Sequence, residues 1–343
     1  MLELSREQQS RASMYQFLQQ TKAQAELGIA NVSTNSRVVD RALADKAPIS
    51  PKRKMVYAMA IIGALGLCIA IITLKDAFTG KVKYRSEVEK MTSIPIIGEI
   101  AFEKTKSPLV IEKGTRSFVA EEFRKLRISL SFLGIDPQHK KLLLTSSISG
   151  EGKSFIAANL AVSISLTGKK VVLVDLDLNN PSLSKILSVE YEEGVTEFLN
   201  GEKSPGEIIN KLDGQENMYF ISAGSLPENP TELLANGKVQ SLIDYLENNF
   251  DMVIIDTSPS VLVTDAFILS AMCDATLYVI RHNYTPKMLV KRIDENNQVN
   301  KFKNPAIVFN GVKTRGIFKN NYGYGYDYVY GNKDRGGKTK KAS

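Results

Sequence analysis

The sequence predicts an α/β fold: a mostly parallel sheet of the phosphate-loop ATPase kind, preceded by one membrane-spanning helix. Three observations predict it. Apolar runs near residues 141–146, 171–176, 218–222, 252–256, 275–280 and 306–310 alternate with helical stretches at 154–167, 231–248, 264–272 and 286–300. Such alternation builds a parallel sheet covered on both faces. A glycine loop, TSSISGEGKS at residues 145–154, sits between the first of those strands and a helix. Met55 to Leu74 is a run of twenty uncharged, mostly apolar residues, which matches the thickness of a bilayer core.

Taken in order, residues 1–54 come first. Leu18, Leu27 and Val38 among many Gln, Ala and Arg suit an exposed or coiled-coil helix, too short to be a domain. The span at 55–74 lies too far into the chain, and its apolar run is too long, for a secretory signal. Lysine and arginine flank it on both sides, so charge alone does not orient it. A nucleotide-using domain faces the cytoplasm, which would put residues 75 onward inside. A single pass with so slight an outer part reads as a longer protein entered part-way.

Residues 75–110 read as a linker, with Pro95 and Gly98 interrupting the stretch from Glu87 to Phe102. A domain is expected over 111–316, opening on a helix from about Arg116 to Leu133. Phe118, Phe123, Leu126, Leu130 and Leu133 share one side of that helix, and Glu121, Arg124 and Arg127 form a charged stripe beside them. On its own, such a stripe is a solvated face.

The glycine loop carries the chemistry. Gly150 and Gly152 let the backbone pass close to a polyphosphate with its N–H groups turned inward, and the following helix adds the positive end of its dipole. Ser149, Gly150, Glu151, Gly152, Lys153, Ser154 and Phe155 are the expected nucleotide contacts, with Lys153 on the β and γ phosphates and the Ser154 hydroxyl on Mg²⁺. Ser147 stands where the strict pattern has glycine.

Two strands end in acids, VVLVDLD at 171–177 and MVIID at 252–256. In a parallel sheet such ends share an edge with the loop, so Asp175, Asp177 and Asp256 can meet one Mg·ATP. Magnesium is usually held through one or two carboxylates, so Ser154, Asp256 and one of Asp175 and Asp177 suffice, and the other is free to orient or deprotonate an attacking hydroxyl. The favoured assignment puts Asp177 on the metal and Asp175 on the hydroxyl. Helix capping and loop hydrogen bonding are the competing use of Asp175 and Asp177.

Residues 317–343 form a tail in which Tyr322, Tyr324, Tyr326, Tyr328 and Tyr330 recur at every second position. Strict alternation would suit an edge strand, but the Gly and Lys content favours a flexible segment. Tyrosines near a Mg·ATP site are candidate phosphoacceptors, and each phosphate adds about −1.5 to −2 charge. The net charge of +7 is spread out apart from residues 52–54 and 333–341, neither cluster interleaved with base-stacking aromatics, which argues against nucleic acid. Two distant cysteines and two histidines leave no disulfide framework or histidine-rich metal centre.

These residues together resemble the bacterial tyrosine kinases of exopolysaccharide and capsule assembly. SISGEGKS is similar to that family's Walker A loop, VVLVDLDLNNP to its Walker A′ motif and MVIIDTSPS to its Walker B motif. EEFRKLR at 121–127 resembles a Glu-x-x-Arg-x-x-Arg pattern, and residues 14–74 resemble the last stem helix and second transmembrane helix of the co-polymerase part. The resemblance implies an inner-membrane protein with a cytoplasmic kinase domain. It further implies a homo-oligomeric ring through Glu121, Arg124 and Arg127, tail phosphorylation in trans, and work with polysaccharide polymerisation and export machinery and a tyrosine phosphatase. Asn179 departs from Asp-x-Asp-x-Arg, which bears on catalytic rate more than on fold, while Ser149 and Thr257-Ser258-Pro259 depart mildly. Two other readings stand beside it: a partitioning-type or septum-site-type ATPase switch, and a chain-length regulator without catalysis. Ile148 at the position of a second loop lysine, the membrane span and the tail tyrosines speak against the first.

Overall fold

The computed structural model describes residues 2–30, 50, 52–78, 80–103, 107–112, 114, 116–260, 264–300 and 302–313. The chain divides into two units, Met1–Asp76 and Ala77–Ser343. Helix α1 covers Leu2–Ala30 in the first, and α2, Arg53–Phe78, lies in it up to its last two residues. Among the described residues, one helical stretch, Arg53–Leu74, is long and apolar enough to cross a membrane. Ile62, Leu65, Ile69 and Ile72 all stand exposed on it. Leaving each such side chain in water forgoes about 1.5–3 kcal/mol, so this surface is built for an apolar surrounding.

The second unit opens with α3 (Arg85–Glu89), β1 (Ile96–Ala101) and α4 (Phe118–Ser129). Ser117 caps α4 by accepting the amide of Ala120, and a 3₁₀ turn, Leu130–Leu133, closes on Gly134 at φ 75°. Next come β2 (Lys141–Ser146), α5 (Lys153–Ser165), β3 (Val171–Leu176), α6 (Leu183–Leu187), α7 (Val195–Asn200), β4 (Asn210–Lys211) and β5 (Met218–Ile221). The unit continues through α8 (Pro230–Leu234), α9 (Lys238–Asn249), β6 (Met252–Thr257), α10 (Asp265–Ser270), β7 (Ala275–Arg281), α11 (Lys287–Asn300) and β8 (Pro305–Val312).

The eight strands run in the order β1-β8-β7-β2-β6-β3-β5-β4. Every pairing is parallel except β4 with β5. Because β2, β3 and β6 are covered on both faces, their sequences are continuous apolar runs, and every residue of β3 and β6 is buried. One face carries α4 and α5, with Phe123, Leu126, Ile156 and Leu160 fully buried against the strands. The other carries α9 with Val239, Leu242 and Leu246, and a third cluster gathers Val88, Ala266, Val290 and Ile293 from α3, α10 and α11. Register then places the acids: Leu144 of β2 lies beside Asp256 of β6, and Asp256 lies beside Asp175 of β3.

Two expectations change. Residues 75–110 are more than a linker, since β1 pairs in parallel with β8 and buries Ile96 and Ile100, so the compact unit begins at Ala77. Pro95 and Gly98 disguise this strand, but Pro95 only precedes it, and a Cβ at Gly98 would come within 2.8 Å of Leu126 Cδ1 on α4. The single helix expected over 231–248 is two, broken at Gly237, which takes φ 83°. The tyrosines at 322–330 lie outside the described residues.

Phe123 is fully buried and meets Phe155 edge-on at 5.8 Å, joining α4 to α5. Phe123→Ala should lower unfolding free energy by about 3–5 kcal/mol. Denaturant titration of the two chains measures it, and a loss below about 1 kcal/mol would mean the site collapses around the smaller side chain.

Candidate functional site

The loop between β2 and α5 has the backbone that its glycines allow. Gly150 and Gly152 sit at φ 86° and 94°, in the left-handed region. A Cβ at Gly152 would meet Asn310 Nδ2 at 2.2 Å, so the position is closed to side chains by contact as well as by conformation.

From outside, the loop is held by the β7–α11 connection and by β8. Arg281 Nη1 donates to Gly150 O at 2.7 Å, Tyr284 OH to Ser149 O at 2.9 Å and Asn310 Nδ2 to Glu151 O at 2.9 Å. These bonds satisfy carbonyls on one side of the loop. Glu151 turns its carboxylate into the protein, where it accepts from Thr285 Oγ1 and from the Ile148 amide at 2.9 Å. Burial pushes that carboxyl up to about 7, against which the Thr285 and Ile148 bonds work. Glu151 therefore offers its backbone to a ligand. Phe155 packs on Phe123, so its side chain belongs to the core.

Lys153 and Ser154 open α5 and meet the acids of β3 and β6. Lys153 Nζ lies 2.7 Å from Asp177 Oδ2 and 3.5 Å from Asp256 Oδ2, and Ser154 Oγ donates to Asp256 Oδ2. Burial pulls the ammonium down, but Asp256 and Asp177 outweigh it and hold Lys153 above its ordinary value. Asp256 is fully buried, and burial raises its carboxyl despite Lys153 and Ser154. Ser182 Oγ donates to Ser154 Oγ at 2.8 Å, which brings the turn before α6 onto the same hydroxyl.

Asp175 and Asp177 divide their work. Asp177 Oδ1 accepts from Ser258 Oγ at 2.8 Å and from the Asn180 amide at 3.1 Å, while its other oxygen takes Lys153. Asp175 accepts three backbone amides, from Asp177 at 3.2 Å, Ser182 at 3.2 Å and Leu183 at 3.1 Å. Burial and the nearby Asp256 raise it to about 7. Carboxylate oxygens carry about four lone-pair sites, so three amides fix Asp175 and leave one acceptor position.

Asp256 Oδ1 is buried with no hydrogen-bond partner among the described residues. That orphaned oxygen, beside the Ser154 hydroxyl, supplies hard oxygen donors of the kind Mg²⁺ takes alongside waters and phosphate oxygens. Among the described residues no group of three or more His, Cys, Asp or Glu could hold a metal ion by itself. Ser154 and Asp256 are accordingly a partial set that a phosphate would complete. The residues fit a magnesium–nucleotide.

Glu121, Arg124 and Arg127 lie away from this cluster on α4. Arg124 pairs with Glu121, and Arg127 Nη1 donates to Ser163 O on α5. Sequence reasoning missed Ser182, Thr285, Arg281 and Asn310, which carry no local motif, and gave Ser258 no role although it lies within the MVIIDTSPS stretch.

Comparison with known proteins follows the same outline. A family profile described as a G-rich domain on putative tyrosine kinase matches residues 1–77, and an AAA domain profile matches 139–307. A putative tyrosine-protein kinase in the cps region of Klebsiella pneumoniae is 29% identical over 94% of this chain and 46% of its own length. The chain thus spans about half of that relative. The tyrosine-protein kinase YwqD of Bacillus subtilis is 34% identical over 64% of this chain and 89% of its own. The solved kinase domain of the Escherichia coli tyrosine kinase ETK superposes with TM-score 0.63 at 25% identity, covering 71% of this chain and 100% of that one.

Gly152→Ala tests the loop. Left-handed backbone costs an alanine roughly 1–2 kcal/mol before the Asn310 contact is counted, so nucleotide binding should weaken by about tenfold or more. Isothermal titration with a non-hydrolysable ATP analogue measures this, and unchanged affinity would show that the loop does not approach the phosphates.

Proposed function

This chain belongs to the bacterial tyrosine-kinase family, and on that premise we propose that it is an ATP-dependent protein-tyrosine autokinase of exopolysaccharide or capsule assembly. The observation that carries the reading is the cluster of Lys153, Ser154, Asp177 and Asp256, with one Asp256 oxygen unpartnered among the described residues, at the carboxyl edge of a parallel sheet. A chain-length regulator without catalysis would need this cluster only to bind nucleotide, and has no role for the Asp175 carboxylate held by three amides beside it.

In this reading the loop amides from Ser149 to Ser154 cradle the phosphates, and Lys153 moves its ammonium from Asp177 toward the β and γ oxygens. Ser154 and Asp256 would hold Mg²⁺, and the ion would supply charge neutralisation on the transferring phosphoryl group. Phosphoryl transfer passes through a loose transition state, so positioning and charge neutralisation supply most of the rate. Asp175 uses its free lone pair to accept the phenol proton of a tail tyrosine, Tyr322 to Tyr330, from a neighbouring copy. Asp177, released by that shift of Lys153, keeps its bonds to Ser258 and the Asn180 amide and would offer its other oxygen to the cation's surroundings.

Glu121, Arg124 and Arg127 lie on α4 as the contact between copies in a ring, with Ile128 and Phe132 exposed farther along the same segment. The α2 helix anchors the chain in the inner membrane with the kinase unit in the cytoplasm. Tail phosphorylation adds about −1.5 to −2 charge per tyrosine, which alters association of copies and, through it, polymerisation and export, and a tyrosine phosphatase resets the state.

Incubation of the full chain with Mg·ATP and mass spectrometry of its C-terminal peptide tests this. Phosphate should appear on tyrosines between Tyr322 and Tyr330, be lost in Lys153→Ala and fall about a hundredfold or more in Asp175→Asn. An unmodified tail with ADP released would replace the kinase by an ATPase switch, and an unmodified tail with intact ATP by a regulator.

The pH profile adds a check. Asp175 titrates near 7 in the folded protein against an ordinary 3.8, so the ionised base accumulates, and the rate rises, as pH climbs through about 7. Stability runs the other way: the folded state holds this proton more tightly than the unfolded chain, so stability declines as pH rises from the ordinary carboxylate range to about 7. Asp175→Asn should flatten that decline in urea titrations at pH 5 and pH 8, and an unchanged slope would remove Asp175 as its source.

A further inference from the structure

Beside the site, one strand farther along the same sheet edge, lies a groove of about 820 Å³. Its walls are α6 with the turn after it, and the segment leaving β5. Pro181, Ser184, Lys185, Glu190, Tyr191 and Ser222 line it. Resting on the kinase reading, we propose that this groove seats the tyrosine-rich tail of a second copy in extended form, with Lys185 reading the carboxylate of Asp327.

Position is the first argument. The amides of Ser182 and Leu183 at the start of α6 hold Asp175, and Ser182 Oγ reaches Ser154. The element that bears Lys185 is thus fixed directly to the acid that would receive the phenol proton. A peptide in the groove would lie along the element whose amides hold Asp175.

Chemistry is the second. Pro181, Val189, Tyr191 and Ala223 give an apolar lining, and Ser184, Ser188 and Ser222 intersperse it with polar side chains. A Tyr-Gly-Tyr-Gly-Tyr repeat needs that mixture, apolar surface for each ring and a hydrogen-bonding edge for each hydroxyl. The volume falls within the range, roughly 300–1,000 Å³, that encloses a ligand-sized segment. Tyr191 contributes an aromatic face, itself tilted against Phe220 at 6.2 Å.

Charge is the third and names the register. Lys185 is exposed and makes no ion pair among the described residues, although it lines a groove at an acid-rich edge. From Tyr322 to Tyr330 the tail has a single charged residue, Asp327, flanked by Tyr326 and Tyr328. Glu190 on the same groove repels a uniformly acidic peptide and leaves Lys185 as the place for one carboxylate. The pair would put Tyr326 or Tyr328 next to Asp175 first.

A mixing experiment in the full chain tests this. The acceptor copy is isotopically heavy and carries Lys153→Ala, so that it only receives phosphate, while the light copy acts as enzyme. Lys185→Glu in the light copy should slow phosphorylation of the heavy tail by roughly tenfold, because reversal removes an attraction and adds a repulsion. Its affinity for ATP should stay the same, which separates tail recognition from a damaged nucleotide site. Asp327→Lys in the heavy copy should restore the rate of the Lys185→Glu enzyme, and Lys185→Glu in the heavy copy alone should have no effect. Undiminished transfer by the Lys185→Glu enzyme, or no recovery with Asp327→Lys, would overturn the groove while leaving the kinase intact. A heavy tail left unphosphorylated by unaltered enzyme would overturn the kinase reading and the groove with it.

Discussion

Everything at the carboxyl edge of this sheet depends on a buried ammonium among buried acids. Lys153 has two carboxylates within 3.5 Å, and a third, Asp175, stands next to Asp256 in the sheet register. A lone buried cation would cost several kcal/mol, and so would each lone anion. Paired, they hold one another, but three acids against one base leave an excess of negative charge. Burial first, and then that excess, lift Asp175 toward neutrality, while the acids hold Lys153 in its charged form. It also means that a polyphosphate would meet repulsion here unless a divalent cation came with it, and the unpartnered oxygen of Asp256 stands where such an ion would find a ligand.

The same economy of charge explains why the loop is held from behind. If its carbonyls faced the acids, the amides could not face a phosphate. Arg281, Tyr284 and Asn310 take up those carbonyls, and Thr285 with the Ile148 amide takes the Glu151 side chain. The bracing segment is in turn pinned by α3 and the residues that precede it. Val82 donates to Thr285 O at 2.9 Å and accepts from the Asn283 amide at 2.7 Å, Lys287 donates to Gly80 O at 2.6 Å, and Lys287 Nζ pairs with Glu87 at 3.0 Å. The stretch that reads as linker in the sequence is therefore two hydrogen bonds from the phosphate loop.

What could be read from the sequence is what is local. Gly150, Gly152, Lys153 and Ser154 stand within five residues between an apolar run and a helical one, and Asp175 and Asp256 each end an apolar run, so strand polarity alone puts them on one edge. What could not be read depends on contact between segments far apart in the chain. Nothing around Thr285 or Asn310 announces a loop more than one hundred residues earlier. The inward turn of Glu151 is decided by Thr285, and the three amides on Asp175 by the turn into α6, a capping use that a strand-end acid shares with many others. Strand β1 was hidden for a related reason: Gly98 looks like a break until Leu126 of α4 is found lying across it.

Asn179 brings these strands together. Where the resembling family has arginine, its Nδ2 donates to Ser258 Oγ at 3.1 Å and to Asp265 Oδ2 at 3.2 Å. Ser258 passes the connection on to Asp177 Oδ1, and Asp265 accepts Thr231 Oγ1 at 2.8 Å on its other oxygen. Asn179 thus ties the acidic loop after β3 to the start of α10 and to α8 with neutral donors. An arginine here would have lowered the negative charge of the edge, whereas the amide leaves it to Lys153 and to whatever cation arrives with the nucleotide. The hydrogen bonds that position Asp177 are thus made by neutral groups, and among the described residues Lys153 is the cation that meets its charge.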